Sequence, residues 1–232
     1  MLNFGLVADE AALKADAQSM ADSGTPHLSV AAARDARPEH FRARFGETLV
    51  DIRLNIAGRH NVRNALAAAA CTLALGVPAE AIVRGLAAFE PVSGRLRRTH
   101  TTQGVPLIDD TYNANPDSMR AAIDVLADQP APRLLVMGDM GETGAQAEAF
   151  HREVGEYAVS RAIEQVWAVG KDMKAAAQAG GVQHWETVEA LLAEHPQAPA
   201  GIASILVKGS RFMKMEHVVR AWAEAASPQG EH

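Results

Sequence analysis

Two rhythms of apolar and polar positions divide this chain. From about residue 94 onward, short apolar runs recur, and Val105 to Asp109, Leu134 to Gly138, Val166 to Gly170 and Ile205 to Val207 read as strands. Stretches of helical period follow them, near residues 117–127, 145–160, 171–179, 187–194 and 215–226. Strands alternating with helices predict an α/β fold, a doubly wound, mostly parallel sheet with right-handed crossovers. Before residue 94 the rhythm is irregular. A short start NFGL, an alternating segment His27 to Val30, a polar stretch Arg34 to Arg44 and a strand-like Leu49 to Leu54 precede two helices, Asn61 to Leu75 and Pro78 to Phe89. Gly76 and Pro78 punctuate those helices, whose apolar residues require a sheet to cover.

In a doubly wound sheet the loops beyond the carboxyl ends of the strands form the ligand crevice. The polar motifs fall there: DDTYNANPDS after the first strand, GDMGETG after the second, GKDM after the third and KGSR after the last. Four motifs on one edge favour a binding site over four independent solvated turns.

Composition narrows the classes. The chain has 232 residues, 48% of them apolar, enough to fill one large or two ordinary cores. Its 22 basic and 28 acidic residues give a formal charge of −6, with no basic stripe for a nucleic acid. Cys71 is the single cysteine, within an Ala-rich run, so disulfides are excluded; a cytoplasmic location and a buried thiol are expected. No window reaches the ~18 apolar residues of a membrane span. Histidine spacing does not suggest zinc, and no metal ligand set stands out.

Each motif carries a structural reading beside a chemical one. Asn115-Pro116-Asp117 suits a helix start, but Asp109, Asp110, Tyr112 and Asn113 exceed what a cap needs. A strand-end carboxylate such as Asp110 suits the paired hydroxyls of a sugar. In GDMGETG, Asp139 and Glu142 either face a cation or ammonium group or are solvated acids of a Gly-rich turn. GKDM is no P-loop, because no glycine precedes Gly170 at the required spacing and Asp172 replaces the metal-binding hydroxyl. In KGSR, Lys208, Arg211 and the amides of Gly209 and Ser210 favour an anion such as a carboxylate, or else Ser210 caps a basic turn. In GRHNVRN, Asn61 and Asn64 lie three apart on one helical face, suited to a base edge unless one of them caps the helix.

Taken in order, GRHNVRN, PVSGRLRR, DDTYNANPDSMRAAIDVL, VMGDMGETG, FHREVG and VKGSRFMKME resemble the Mur ligases over about residues 56 to 226. The form DDTYNANPDSM resembles the branch that joins D-alanyl-D-alanine to UDP-N-acetylmuramoyl-tripeptide. The resemblance implies a partial central ATPase domain over residues 1–93, then a Rossmann-like carboxy-terminal domain over residues 94–232. It implies an ATP-dependent ligase of peptidoglycan synthesis, in which ATP phosphorylates a substrate carboxylate and an amine attacks the acyl phosphate. By the same resemblance Asn61 and Asn64 match the adenine contacts, Asp110 the ribose contact, and Arg95 an arginine reaching the nucleotide. Asn113, Asn115, Lys208, Ser210 and Arg211 would lie toward the peptide and D-alanyl-D-alanine.

The chain departs from that pattern at Gly141, Thr143 and Phe212, where the family commonly has Leu, Leu and a small residue. It also contains no P-loop, no magnesium ligands and no UDP-sugar domain of the kind the family carries. It is therefore expected to correspond to the carboxy-terminal half and to lack ligase activity alone. The alternatives are a stand-alone nucleotide- or peptide-binding module, or a piece that completes a partner supplying the amino-terminal half.

Overall fold

The computed structural model describes residues 3–14, 29–33, 36, 37 and 39–223. The chain divides into two compact units, Met1–Pro91 and Val92–His232. The first holds a four-stranded sheet of β1 (Asn3–Val7), β2 (Ser29–Ala33), β3 (Phe41–Phe45) and β4 (Thr48–Ile52), ordered β1-β2-β3-β4. β1 and β2 are parallel, whereas β2, β3 and β4 run antiparallel. His27 and Leu28 of the expected alternating segment lie outside the described residues.

One expectation is corrected here. The segment read as polar up to Arg44 contains β3, because Phe41, Ala43 and Phe45 alternate into the core while Arg42 turns out to Glu10 and Asp51. Helices α1 (Arg59–Ala74) and α2 (Ala79–Ala87) cover this sheet. α1 buries Asn61, Val62, Ala65, Leu66, Ala69 and Ala70, a stripe at helical spacing. Cys71 lies off that stripe and is exposed, contrary to the expected burial.

The second unit is a six-stranded sheet of β5 (Arg97–His100), β6 (Pro106–Asp110), β7 (Arg133–Gly138), β8 (Gln165–Val169), β9 (Val182–Trp185) and β10 (Ser204–Lys208). Its order is β5-β6-β10-β7-β8-β9, all neighbours parallel except the antiparallel β5 and β6. On one face Leu107, Val136, Val207 and Trp167 pack with α5 (Val188–Glu194) and α6 (Glu216–Trp222). The other face carries α3 (Pro116–Ala127) and α4 (Ala147–Ser160). Helices on both faces explain why the central strands read as near-continuous apolar runs.

The α/β doubly wound expectation holds for this unit, with local differences. The stretch 171–179 is a 3-10 segment, Asp172–Gln178. The last helix ends at Trp222, and positions 224–226 of its expected span lie outside the described residues. β5 and β9 are edge strands that the apolar pattern did not reveal. Among the described residues no helix is long and apolar enough to cross a membrane.

Candidate functional site

The register sets Asp110 beside Lys208, Lys208 beside Met137, and Gly138 beside Val169. All four polar motifs therefore leave the second unit's sheet at one edge. β10 sits between β6 and β7, so this edge contains the point where strand order reverses, the usual place for a ligand crevice in open α/β sheets.

Alternation along β6 sends its two terminal carboxylates to opposite faces. Asp110 meets Lys208, whose Nζ donates to Asp110 Oδ2 at 2.7 Å and to the Asn113 carbonyl at 2.8 Å. Their side chains are 14% and 3% exposed. Leu96 N–H donates to Asp110 Oδ1 at 3.1 Å. An ammonium this deep is tolerated because it has a carboxylate and a carbonyl to bind. Lys208 thus orients Asp110 and the Asn113 backbone.

Asp109 turns the other way and is buried. It accepts from Gly94 N–H at 2.9 Å, Ser93 Oγ at 3.3 Å, Thr111 N–H at 3.3 Å and Thr111 Oγ1 at 2.7 Å. These bonds seat the segment before β5 against the β6 loop, and Tyr112 N–H closes it onto the Gly94 carbonyl at 2.9 Å. Gly94 has φ +78, and a Cβ there would stand 2.9 Å from the Tyr112 nitrogen, so only glycine fits without strain. The next residue, Arg95, holds its guanidinium 4.2 Å from the centroid of the half-exposed Tyr112 ring, a cation–π contact.

Ser210 joins three of the loops. Its buried hydroxyl accepts Gly141 N–H at 2.6 Å and donates to the Ala114 carbonyl at 3.1 Å, while its own N–H donates to the Asp139 carbonyl at 3.0 Å. It makes no side-chain cap on the 3-10 turn Arg211–Met213. Arg211 is open to solvent and, among the described residues, pairs only with Glu216, at 3.4 Å. Asn113 Oδ1 accepts Ala114 N–H at 2.9 Å. Asn115 caps α3 through Ser118 N–H at 2.8 Å, with Ser118 Oγ accepting in return from Asn115 N–H at 3.0 Å.

Asp139 is neither a solvated acid nor exposed to a ligand. Its carboxylate is buried and accepts Met173 N–H at 2.7 Å. Burial pushes its pKa above the ordinary aspartate value, and the amides of Met173 and Asp172 pull the other way. A Cβ at Gly170 would lie 2.3 Å from Asp139 Oδ1, which explains the glycine of GKDM. Glu142 of the same motif is exposed. His151, fully buried on α4, accepts Met140 N–H at Nε2, 2.9 Å away, with Nδ1 2.6 Å from the Ala147 carbonyl. The sequence reading missed His151; its signal was a polar residue in line with Val154 and Ala158.

Asn61 and Asn64 belong to the first unit. The cap of α1 is Gly58, so neither asparagine caps the helix. Asn64 Nδ2 donates to Asn61 Oδ1 at 3.0 Å, and Asn61 Nδ2 donates to the Ala57 carbonyl at 2.6 Å. The buried Asn61 thereby fixes the orientation of the exposed Asn64. Among the described residues no group of three His, Cys, Asp or Glu could hold a metal ion.

Compared with known proteins, residues 94–211 match the family described as Mur ligase, glutamate ligase domain. The UDP-N-acetylmuramoyl-tripeptide--D-alanyl-D-alanine ligase of Escherichia coli K12 is 46% identical over 178 residues, covering 75% of this chain and 39% of that protein. A crystal structure of MurF from Acinetobacter baumannii superposes with a TM-score of 0.72 at 35% identity, over 84% of this chain and 46% of its own. MurF from Thermotoga maritima, solved in complex with ADP, shares the fold with a TM-score of 0.70 at 18% identity, over 94% of this chain and 52% of its own. The chain thus spans about 39% of the length of the curated relative it matches.

Proposed function

The chain belongs to the Mur ligases, and from that membership we propose that it supplies the sugar-and-base side of an ATP site in a ligase joining D-alanyl-D-alanine to UDP-N-acetylmuramoyl-tripeptide. Residues 1–93 are then the end of the central ATPase domain and residues 94–232 the carboxy-terminal domain. The observation that carries the reading is Asp110, fixed at the switch-point edge by Lys208 and by Leu96 N–H. A carboxylate oriented in this way accepts hydrogen bonds from the two ribose hydroxyls. Arg95, steadied on Tyr112, provides a cation for the nucleotide. Asn64, oriented by Asn61, presents its amide to the adenine edge.

On the second-substrate side the roles divide. Lys208 and Ser210 act through the loops they hold, while Arg211 is open to solvent and suits a peptide carboxylate. Asn113 and Asn115 each use the side-chain oxygen locally, which leaves the amide nitrogen to face a ligand.

The chain contains no P-loop and no magnesium cluster among its described residues. ATP bound with its metal would supply the phosphoryl group that activates the substrate carboxylate. The groups that stabilise that transfer are lysine, backbone amides and metal, and in this reading the complete ligase supplies them from sequence outside this chain. Calorimetric titration with ADP tests the proposal: saturable binding lost in Asp110→Ala is expected, and unchanged binding in that variant overturns it. A coupled phosphate-release assay with ATP, the UDP-tripeptide and D-alanyl-D-alanine is expected to show no turnover by this chain alone.

A further inference from the structure

On the face of the second unit opposite the Asp110–Lys208 pair lies a cavity of about 540 Å³, within the range of small-molecule sites. Its walls come from β5, the end of β6, the Arg211 turn and α6. Arg97 and Thr99 alternate onto one face of β5, and Glu216, Val219 and Arg220 share a face of α6 through their three- and four-residue spacing, with the extended Ala223 following the helix. Three guanidiniums and two carboxylates therefore line one concave volume.

Asp109 is engaged, accepting from Ser93, Gly94 and Thr111. Glu216 pairs through Oε1 with Arg211 at 3.4 Å, while its Oε2 is buried and, among the described residues, has no hydrogen-bond partner. Among the described residues no ion pair or side-chain hydrogen bond engages Arg97 or Arg220. Charged residues on an edge strand often serve only to prevent strand addition. That account covers Arg97 and its neighbour Arg98, but not Arg220, which reaches the same volume from a helix. Two like charges facing one recess repel, and an anion between them relieves the repulsion through charge-assisted, bidentate bonds.

We propose that this cavity is an anion site, taking a small molecule whose carboxylate or phosphate is held between Arg97 and Arg220. The site uses neither Asp110 nor Asn64; it shares the Arg211 wall with the peptide-carboxylate reading, from which dependence on Arg97 and Arg220 separates it. The test is calorimetric titration of the full chain at low ionic strength, with inorganic phosphate in one arm and N-acetyl-D-alanine, a monocarboxylate without an ammonium group, in the other. Saturable binding in at least one arm is expected, weakened at least about tenfold in Arg97→Ala/Arg220→Ala. Binding in the phosphate arm alone identifies a phosphoryl ligand, in the other arm alone a carboxylate ligand, and in both a general oxyanion site. A thermal melt checks that the double variant folds; if it does not, the charge-removing single variants Arg97→Gln and Arg220→Gln replace it. No binding in either arm, or binding unchanged in the arginine variants, overturns the proposal.

Discussion

The two faces of the β6 edge use similar residue types to opposite ends. Away from the Arg97–Arg220 cavity, Lys208, Asp110 and Ser210 are buried or nearly so, Lys208 bonded to Asp110 and to the Asn113 carbonyl, and Ser210 to Gly141, Ala114 and Asp139. On the α6 face, Arg97 and Arg220 are exposed and, among the described residues, their side chains have no protein partner. Internal hydrogen bonds fix the geometry of a polar residue and, as at Asp110, leave only its spare lone pairs for a ligand, whereas a guanidinium left with solvent commits all its donors to one. The contrast predicts a large stability cost on the first face and almost none on the second.

Lys208→Met is the strongest way to break that contrast. It takes the Lys208 ammonium away from the partly buried Asp110 carboxylate, and losing one member of such a pair costs roughly 3–5 kcal/mol. Urea denaturation of the full chain measures it, and the double variant Lys208→Met/Asp110→Asn should recover part of the loss. Arg97→Ala and Arg220→Ala, by comparison, are expected to stay within about 0.5 kcal/mol of the parent. A Lys208→Met effect as small as theirs would show that the pair does not hold the edge together.

Ser210→Ala sharpens the comparison at a single hydroxyl. The change removes no charge and little volume, but it leaves the Gly141 amide and the Ala114 carbonyl without their partner. A cost of about 1–3 kcal/mol is expected in the same denaturation experiment, because an unmade buried hydrogen bond incurs the desolvation of its group. Amide exchange at Gly141 should quicken first, since that N–H loses its acceptor.

The contrast also marks how far the sequence could be read. β6, β7, β8 and β10 were legible because central parallel strands are buried on both faces, so their apolar runs are nearly unbroken. β5, reading RRTH, and β9, reading VQHW, lie at the two edges and carry no such run. Within the site, Asp110, Lys208 and Ser210 were legible as polar residues at strand ends. Their partners were not, since Lys208 and Asp110 are 98 positions apart and only the strand order brings them together. For the same reason the bare motif KGSR suggested that Lys208 faces a ligand, whereas its ammonium is held inside. Arg220 gave no motif at all; its interest arises from the cavity it shares with Arg97.

An effect smaller than that of Ser210→Ala is expected at the opposite end of the sheet, where Arg133 opens β7 and meets Glu164. The Arg133 guanidinium donates to Glu164 Oε1 at 2.9 Å and to Oε2 at 3.0 Å, holding the Glu164 pKa at about 2, below its ordinary 4.5. A lowered folded-state pKa means that this pair stabilises the fold fully above about pH 4.5 and progressively less as pH falls toward about 2. Glu164 is 39% exposed, so solvent screening limits the effect to under about 1 kcal/mol. Buried Asp139 has the opposite sign. Its raised pKa makes protonation favour the folded state, so its contribution declines as pH rises from the unfolded value through the folded one. Thermal melts of Glu164→Gln and Asp139→Asn across the acid range should therefore change the slope of stability against pH in opposite directions. Parallel changes would mean that exposure and burial do not separate these two carboxylates as the two faces of the β6 edge are separated.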